Sequence, residues 1–163
     1  VVITGGEPLL QDGIEEFICK IKELGYAVKL DTNGSFPEKL ISLVEKGLVD
    51  YVAMDIKNSK AKYMTTIGVD NVDLASVEKS VDFLLQNKVD YEFRTTVVDG
   101  FHTLEDIQDI VVWIKGTHKY FLQNFVDSGD LIKAGLEPVS VHLLKEMKEK
   151  ATEFVPCVEI RGI

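Results

Sequence analysis

Ala27-Val28-Lys29-Leu30-Asp31-Thr32-Asn33-Gly34 runs from a strand-like stretch straight into four turn-forming residues. Behind it Pro37 opens a segment in which Leu40, Ile41, Val44 and Leu48 recur at helical spacing. Strand, polar turn and amphipathic helix follow from that stretch alone. The same unit precedes it: Val1-Val2-Ile3, the turn Thr4-Gly5-Gly6-Glu7-Pro8, then Ile14, Phe17, Ile18, Ile21 and Leu24 until Gly25 stops the pattern. The unit also follows it. Tyr51-Val52-Ala53-Met54 runs into Asp55-Ile56-Lys57, and after a polar connection Val77, Val81, Leu84 and Leu85 mark a helix. Tyr91 to Val98 and Leu104 to Ile114 repeat the pair, and Tyr120-Phe121-Leu122 is a fifth strand. Beyond it lie a loop at 127–138 rich in Gly, Asp and Pro, a helix near 139–151 and a short strand at 157–160.

Strands that alternate with helices imply right-handed crossovers and an α/β fold on a parallel sheet, either doubly wound or curled into a barrel. The main strands are expected near 1–4, 26–31, 50–55, 91–97 and 119–123. With 163 residues, 45% of them hydrophobic, one domain is the expectation. A net charge of -9 excludes a phosphate-backbone binder, which needs clustered Lys and Arg, so no nucleic-acid partner is expected. No apolar run approaches the roughly 20 residues of a membrane span, and no signal-peptide pattern is present. A soluble cytoplasmic protein with no membrane partner is the plain expectation. Val1 opens directly on a strand, and on this reading the chain is an excised piece.

In parallel sheets ligands bind beyond the carboxyl ends of the strands, so the residues after each apolar run carry the information. They are Gly5-Gly6-Glu7-Pro8, Asp31-Thr32-Asn33-Gly34, Asp55-Ile56-Lys57, Arg94-Thr95-Thr96 and Gln123-Asn124. Two glycines let backbone approach a small ligand, Glu7 can accept from an ammonium, and Asp31 with Asp55 could hold a cation. Lys57 and Arg94 suit a carboxylate. Each motif alone also fits an ordinary turn or a solvated charge. The recurrence of polar motifs at one topological position on consecutive strands is what argues for a shared rim, and Glu7, Asp31, Asp55 and Arg94 are expected to converge there. His102, His118 and His142 lack metal-ligand spacing and read as surface or internally satisfied side chains, while Trp113 reads as packing. Cys19 and Cys157 form no paired motif and are expected to be reduced, buried thiols.

Val2-Ile3-Thr4-Gly5-Gly6-Glu7-Pro8 resembles the segment on the second strand of radical S-adenosylmethionine (SAM) enzymes that binds the SAM amino group. Leu30-Asp31-Thr32-Asn33-Gly34 and Met54-Asp55-Ile56-Lys57 resemble their glycyl-radical-activating branch, and Arg94 to Val98 and Leu122 to Phe125 extend the likeness along the chain. Within that branch it is similar to activators of anaerobic ribonucleoside-triphosphate reductase, and next to those of pyruvate formate-lyase. The resemblance implies a partial (βα)6 TIM-like barrel, here truncated before its second strand, so that residues 1–163 form the C-terminal portion of a single domain.

In such enzymes three cysteines after the first strand hold a 4Fe-4S cluster, and an electron donor protein supplies the reducing electron. Cleavage of SAM then gives a 5'-deoxyadenosyl radical that takes hydrogen from a glycine of the partner enzyme, here implied to be an anaerobic ribonucleotide reductase. Carried over, Gly5, Gly6, Glu7 and Pro8 would hold the SAM amino group. Asp31, Thr32, Asn33, Asp55 and Ile56 would lie at the SAM carboxylate, with Asp31, Thr32 and Asp55 as a monovalent-cation site. Lys57 and Arg94 would stand near the carboxylate and ribose. The cluster cysteines are absent from this sequence, so the chain by itself is expected to be inactive. Pyruvate formate-lyase activators carry a His after the sixth strand where Val126 stands here, which weighs against that subtype.

Two other classes compete. A phosphoacceptor receiver domain also ends a central apolar strand in an acid, as Tyr51 to Asp55 does, but it needs an acidic pair after its first strand, where this chain has Thr-Gly-Gly-Glu-Pro. A catalytically silent interaction domain on the same barrel is the other.

Overall fold

The computed structural model describes residues 1–68, 73–127, 129 and 135–162. Contacts gather these into two compact units, Val1–Asp55 with Asp73–Glu92, and Ile56–Val72 with Phe93–Ile163.

The first unit begins with β1 (Val2–Ile3), a 3-10 turn (Pro8–Leu10) and α1 (Ile14–Glu23). It continues through β2 (Lys29–Thr32), α2 (Pro37–Glu45) and β3 (Tyr51–Asp55). The strands are parallel in chain order: Ile3 pairs with Leu30, and Lys29 to Thr32 pair with Tyr51 to Met54. On β2 the alternation divides the faces, with Leu30 and Thr32 buried and Lys29 and Asp31 half-buried on the opposite side. In α1, Glu15 and Glu16 in the first turn and Lys20 and Lys22 in the last oppose the helix macrodipole favourably. Its buried stripe is narrower than the spacing suggests. Ile18 and Ile21 are buried, but Phe17 and Leu24 stand 54% and 74% exposed at its margin.

Further along the chain lie α3 (Tyr63–Ile67) in the second unit, α4 (Leu74–Leu84) in the first, and β4 (Asp90–Val97), whose first three residues belong to the first unit. Helix α4 packs against α2, and its Val77, Val81 and Leu84 are buried. Helix α3 falls in the stretch read as a polar connection. Its Tyr63 meets Trp113 edge-on, ring centroids 6.0 Å apart, so Trp113 packs as expected but on a helix the spacing did not reveal.

The second unit is completed by α5 (Leu104–Trp113), β5 (Lys119–Asn124), α6 (Val141–Thr152) and β6 (Cys157–Arg161). β4, β5 and β6 are parallel in chain order, with Phe93 to Val97 against Tyr120 to Asn124 and Lys119 to Gln123 against Cys157 to Arg161. α6 packs on α5, and its Leu144, Met147 and Ala151 are buried. A capping box starts α5: the Thr103 hydroxyl accepts from the Asp106 amide, and the Asp106 carboxylate accepts from the Thr103 amide. Within the 127–138 loop, 128 and 130–134 lie outside the described residues. Cys19 and Cys157 are unpaired and half-buried, in separate units.

Candidate functional site

In the first unit β1 hands the chain to Thr4-Gly5-Gly6-Glu7-Pro8. Gly5 sits at φ 148°, a conformation side chains disfavour, and beyond the adjacent residues no heavy atom lies within 4 Å of where a Cβ would stand on Gly5 or Gly6. Space is therefore open in front of both glycines. Glu7 is 7% exposed. Its Oε1 accepts from the Leu9 amide at 3.0 Å, which caps the 3-10 turn, and from the Thr32 hydroxyl at 3.0 Å. Its Oε2 lies 3.1 Å from the same hydroxyl and accepts from the Asn33 amide at 2.7 Å. A buried carboxylate thus ties the loop after β1 to the loop after β2, and each of its oxygens is hydrogen-bonded within the protein.

The second loop is braced in turn. Thr32 Oγ1 accepts from the Gly34 amide at 3.1 Å, and Asn33 Oδ1 accepts from the Ser35 amide and hydroxyl at 2.9 and 2.6 Å. The Gly34 carbonyl accepts from the Ser80 hydroxyl at 2.7 Å, and the Met54 side chain occupies the space a Cβ on Gly34 would need. Lys39 Nζ donates to the Leu9 carbonyl at 2.7 Å. Asp31 and Asp55 stand on the sheet face opposite Thr32: Asp31 pairs with Ala53, and Asp55 is two residues further along β3. Glu7, Asp31 and Asp55 therefore share the carboxyl-end side of three parallel strands in one unit. The Thr32 hydroxyl bonds Glu7 and Gly34, and Asp31 Oδ1 stands 3.8 Å from Lys29 Nζ. Elsewhere in the unit a cleft of about 410 Å³ opens between the start of α1 and α2, lined by Asp12, Glu15, Glu38 and Lys39 among others. It includes no motif residue and plays no part in the site.

Ile56, Lys57 and Arg94 belong to the second unit. There the segment Ile56–Ser59 is held residue by residue. The Ile56 amide donates to the Arg94 carbonyl at 2.7 Å, and the Ile56 carbonyl accepts from the Thr95 hydroxyl at 2.7 Å, which itself receives the Tyr120 hydroxyl at 2.7 Å. Burial, only partly opposed by Thr95, pushes the Tyr120 phenol far above its usual range, so it stays a donor. The Lys57 carbonyl lies 2.8 Å from His102 Nε2. Asn58 Nδ2 donates to the Thr66 hydroxyl at 2.8 Å and the Phe101 carbonyl at 3.0 Å. Ser59 Oγ donates to Asp106 Oδ1 at 3.1 Å, and Lys62 reaches Asp106 Oδ2 at 2.6 Å. Burial raises the Asp106 carboxyl, but Lys62, Thr103 and Ser59 outweigh it and hold it below its usual value. Asn58, Ser59, His102 and Asp106 were not among the expected site residues; the Thr103-x-x-Asp106 box was the one legible signal for the last. Asn124, at the end of β5, exchanges two side-chain hydrogen bonds with the Val139 backbone at 3.0 and 3.1 Å.

A family model for the radical SAM superfamily matches residues 1–114, more than two thirds of the chain and every motif quoted above up to Val98. The chain belongs to the radical SAM superfamily. A Methanocaldococcus jannaschii protein provisionally named a glycyl-radical enzyme activating enzyme is 36% identical over 169 residues, covering 100% of this chain and 70% of its own length. A 7-carboxy-7-deazaguanine synthase from Methanopyrus kandleri is 41% identical over 167 residues, covering 96% of this chain and 61% of its own length. Among solved structures, a domain of a pyruvate-formate lyase-activating enzyme from Bacteroides vulgatus superposes with a TM-score of 0.79 at 16% identity, covering 99% of this chain and 98% of that one. The fold is the α/β partial TIM-like barrel of radical SAM proteins. The first unit suits SAM, a zwitterion with an ammonium and a carboxylate, because the open space at Gly5 and Gly6 is bordered by backbone that Glu7 holds still. A three-thiolate cluster does not fit the residues present. Cys19 and Cys157 are too few, and one stands on α1 and the other on β6.

Proposed function

We propose that this chain is the SAM-binding portion of a radical SAM activase whose full-length form generates a glycyl radical on a partner enzyme of the anaerobic ribonucleotide reductase type. The observation that carries this reading is the Glu7 bridge. It makes the Gly5-Gly6-Glu7-Pro8 and Asp31-Thr32-Asn33-Gly34 loops one hydrogen-bonded body with open space in front of the glycines. On motif position, Gly5, Gly6 and Glu7 receive the SAM amino group, and Asp31, Thr32 and Asp55 form a monovalent-cation site beside the carboxylate. For Ile56, Lys57 and Arg94 the roles near the carboxylate and ribose rest on motif position alone. When bound, the cluster supplies the low-potential electron that SAM cleavage needs. The thiolates for it are not among these 163 residues. On this reading residues 1–163 are the C-terminal portion of one barrel domain, inactive alone, and the whole protein works with an electron donor protein under anaerobic, cytoplasmic conditions.

The 41% identity with a deazaguanine synthase favours a second reading, in which the same SAM chemistry serves a small heterocyclic substrate. A pyruvate formate-lyase activator and a silent interaction domain complete the alternatives. The full-length protein, reconstituted anaerobically with iron and sulfide, is expected to release 5'-deoxyadenosine from SAM and reductant and to raise a glycyl-radical signal in electron paramagnetic resonance on an anaerobic ribonucleotide reductase. 5'-Deoxyadenosine release without any signal on a glycyl-radical enzyme would move the assignment to the small-molecule reading. Neither product nor signal would leave the silent domain.

A further inference from the structure

Of the four residues Ile56 to Ser59, three are shut away from solvent: Ile56 and Asn58 at 0% and Ser59 at 1% exposure. Lys57 alone is half-buried, so the strap presents one cation and hides everything else. Each neighbour of Lys57 has its own anchor, Thr95 and the Arg94 carbonyl for Ile56, and Thr66, Phe101 and Asp106 for Asn58 and Ser59. The Lys57 carbonyl is held by His102. The ring is 4% exposed, and its two nitrogens face partners of opposite kind. The Val98 amide at 3.1 Å from Nδ1 can only donate, so Nδ1 must carry the lone pair. The Lys57 carbonyl at 2.8 Å from Nε2 can only accept, so Nε2 must carry the proton. The surroundings thus specify one tautomer of the neutral ring, and a second proton on Nδ1 would meet the Val98 N–H head on.

Given the SAM-binding function proposed above, we infer that His102 is a positioning residue: as the Nε2–H tautomer it pins the Lys57 carbonyl to the chain just past β4 and so fixes where the Lys57 ammonium can reach a SAM carboxylate or ribose. His102 touches no ligand itself. It acts through the backbone of Lys57, and the charges that bear on its ring are Asp106, which favours a second proton, and Lys62, which opposes it. Burial is the largest influence and keeps the ring neutral. Flanking anchors on both sides mean that losing His102 frees one carbonyl and one side chain without releasing the strap.

The test has two arms. In the 15N-histidine-labelled chain, His102 is expected to show the neutral Nε2–H tautomer at about pH 7.5, above the ordinary histidine range; an Nδ1–H ring or an imidazolium at that pH overturns the assignment. In the full-length, cluster-loaded protein, SAM dissociation constants are measured for wild type, Lys57→Ala, His102→Leu and the double variant. Loss of the Lys57 contact is expected to weaken binding about tenfold, and loss of its support by roughly five- to tenfold. The double variant should bind no worse than Lys57→Ala within about twofold, because His102 acts only through Lys57. His102→Gln, whose amide can still donate to the Lys57 carbonyl, should stay within about threefold of wild type. Multiplicative losses in the double variant, or His102→Gln as weak as His102→Leu, overturn the positioning role. If the wild-type protein itself binds no SAM, the functional reading falls and the role of Lys57 with it.

Discussion

Glu7→Gln is the sharpest probe of the first unit, because it keeps the shape of the side chain and changes only what its oxygens can accept. Oε1 faces the Leu9 amide at 3.0 Å, and Oε2 faces the Asn33 amide at 2.7 Å. Whichever oxygen becomes an NH2, a donor then meets a backbone donor in a buried place. Turning the amide so that the shorter Asn33 bond survives leaves the Leu9 amide unsatisfied, and an unsatisfied buried N–H costs about 1–3 kcal/mol. The Thr32 hydroxyl cannot repair the fault. It already accepts from the Gly34 amide and would exchange one unmet partner for another. Replacing charge-assisted bonds by neutral ones forfeits roughly 1 kcal/mol more. A total near 3 kcal/mol is a large share of the 5–15 kcal/mol that holds a typical domain together, and it corresponds to a melting-temperature loss of roughly 6–12 °C at this size. Circular dichroism during thermal and urea unfolding of wild type, Glu7→Gln and Thr32→Val would measure it. The two substitutions break a shared bond, so their effects should combine to less than their sum. A Glu7→Gln chain within about 0.5 kcal/mol of wild type would behave like a surface variant, and the bridge between the two loops would then carry no weight.

Gly34→Ala should destabilise the chain by about 2 kcal/mol, since residue 34 stands at φ 77° and the new methyl would overlap the end of the buried Met54 side chain; an unfolding midpoint equal to wild type would refute this. Burial, opposed by the hydrogen bond to the Lys57 carbonyl, holds His102 below the ordinary histidine value of 6.5. The unfolded chain therefore takes up that proton first, so the His102 contribution is complete above about pH 6.5 and is lost as the pH falls below it. Urea midpoints at pH 7 and pH 5.5 should show that loss in wild type and a flatter response in His102→Gln, and equal slopes would refute it. Asp106, held below its usual value, should lose its contribution only at lower pH, as acid protonates a carboxylate bound to Lys62, Thr103 and Ser59, and Asp106→Asn should remove that acid limb of the unfolding profile.

Strands, helices and the end of the sheet that carries polar motifs were legible in the sequence because each is a local pattern. Leu30 and Thr32 alternate with Lys29 and Asp31, Val77, Val81 and Leu84 follow a helical period, and residues past the apolar runs of parallel strands must share one edge. The likeness to radical SAM proteins was legible for the same reason, since its motifs are short and contiguous. Helix α3 was not: Tyr63–Ile67 is five residues, under two turns, and too short for a period to declare itself. Phe17 and Leu24 fit a helical stripe in the sequence, yet what packs against α1 decides that the stripe is only wide enough for their neighbours. The polar interior was hidden most completely. Asn58 and Ser59 read as a polar connection, Asp106 as one position on a helix and His102 as either surface or internally satisfied, because whether a polar side chain is buried depends on partners up to 47 residues away. For Glu7 the sequence placed the residue in the motif and suggested that it grips a ligand. Only the tertiary structure, by bringing Thr32 and Asn33 to its carboxylate, showed that Glu7 also braces the loop after β1 against the loop after β2.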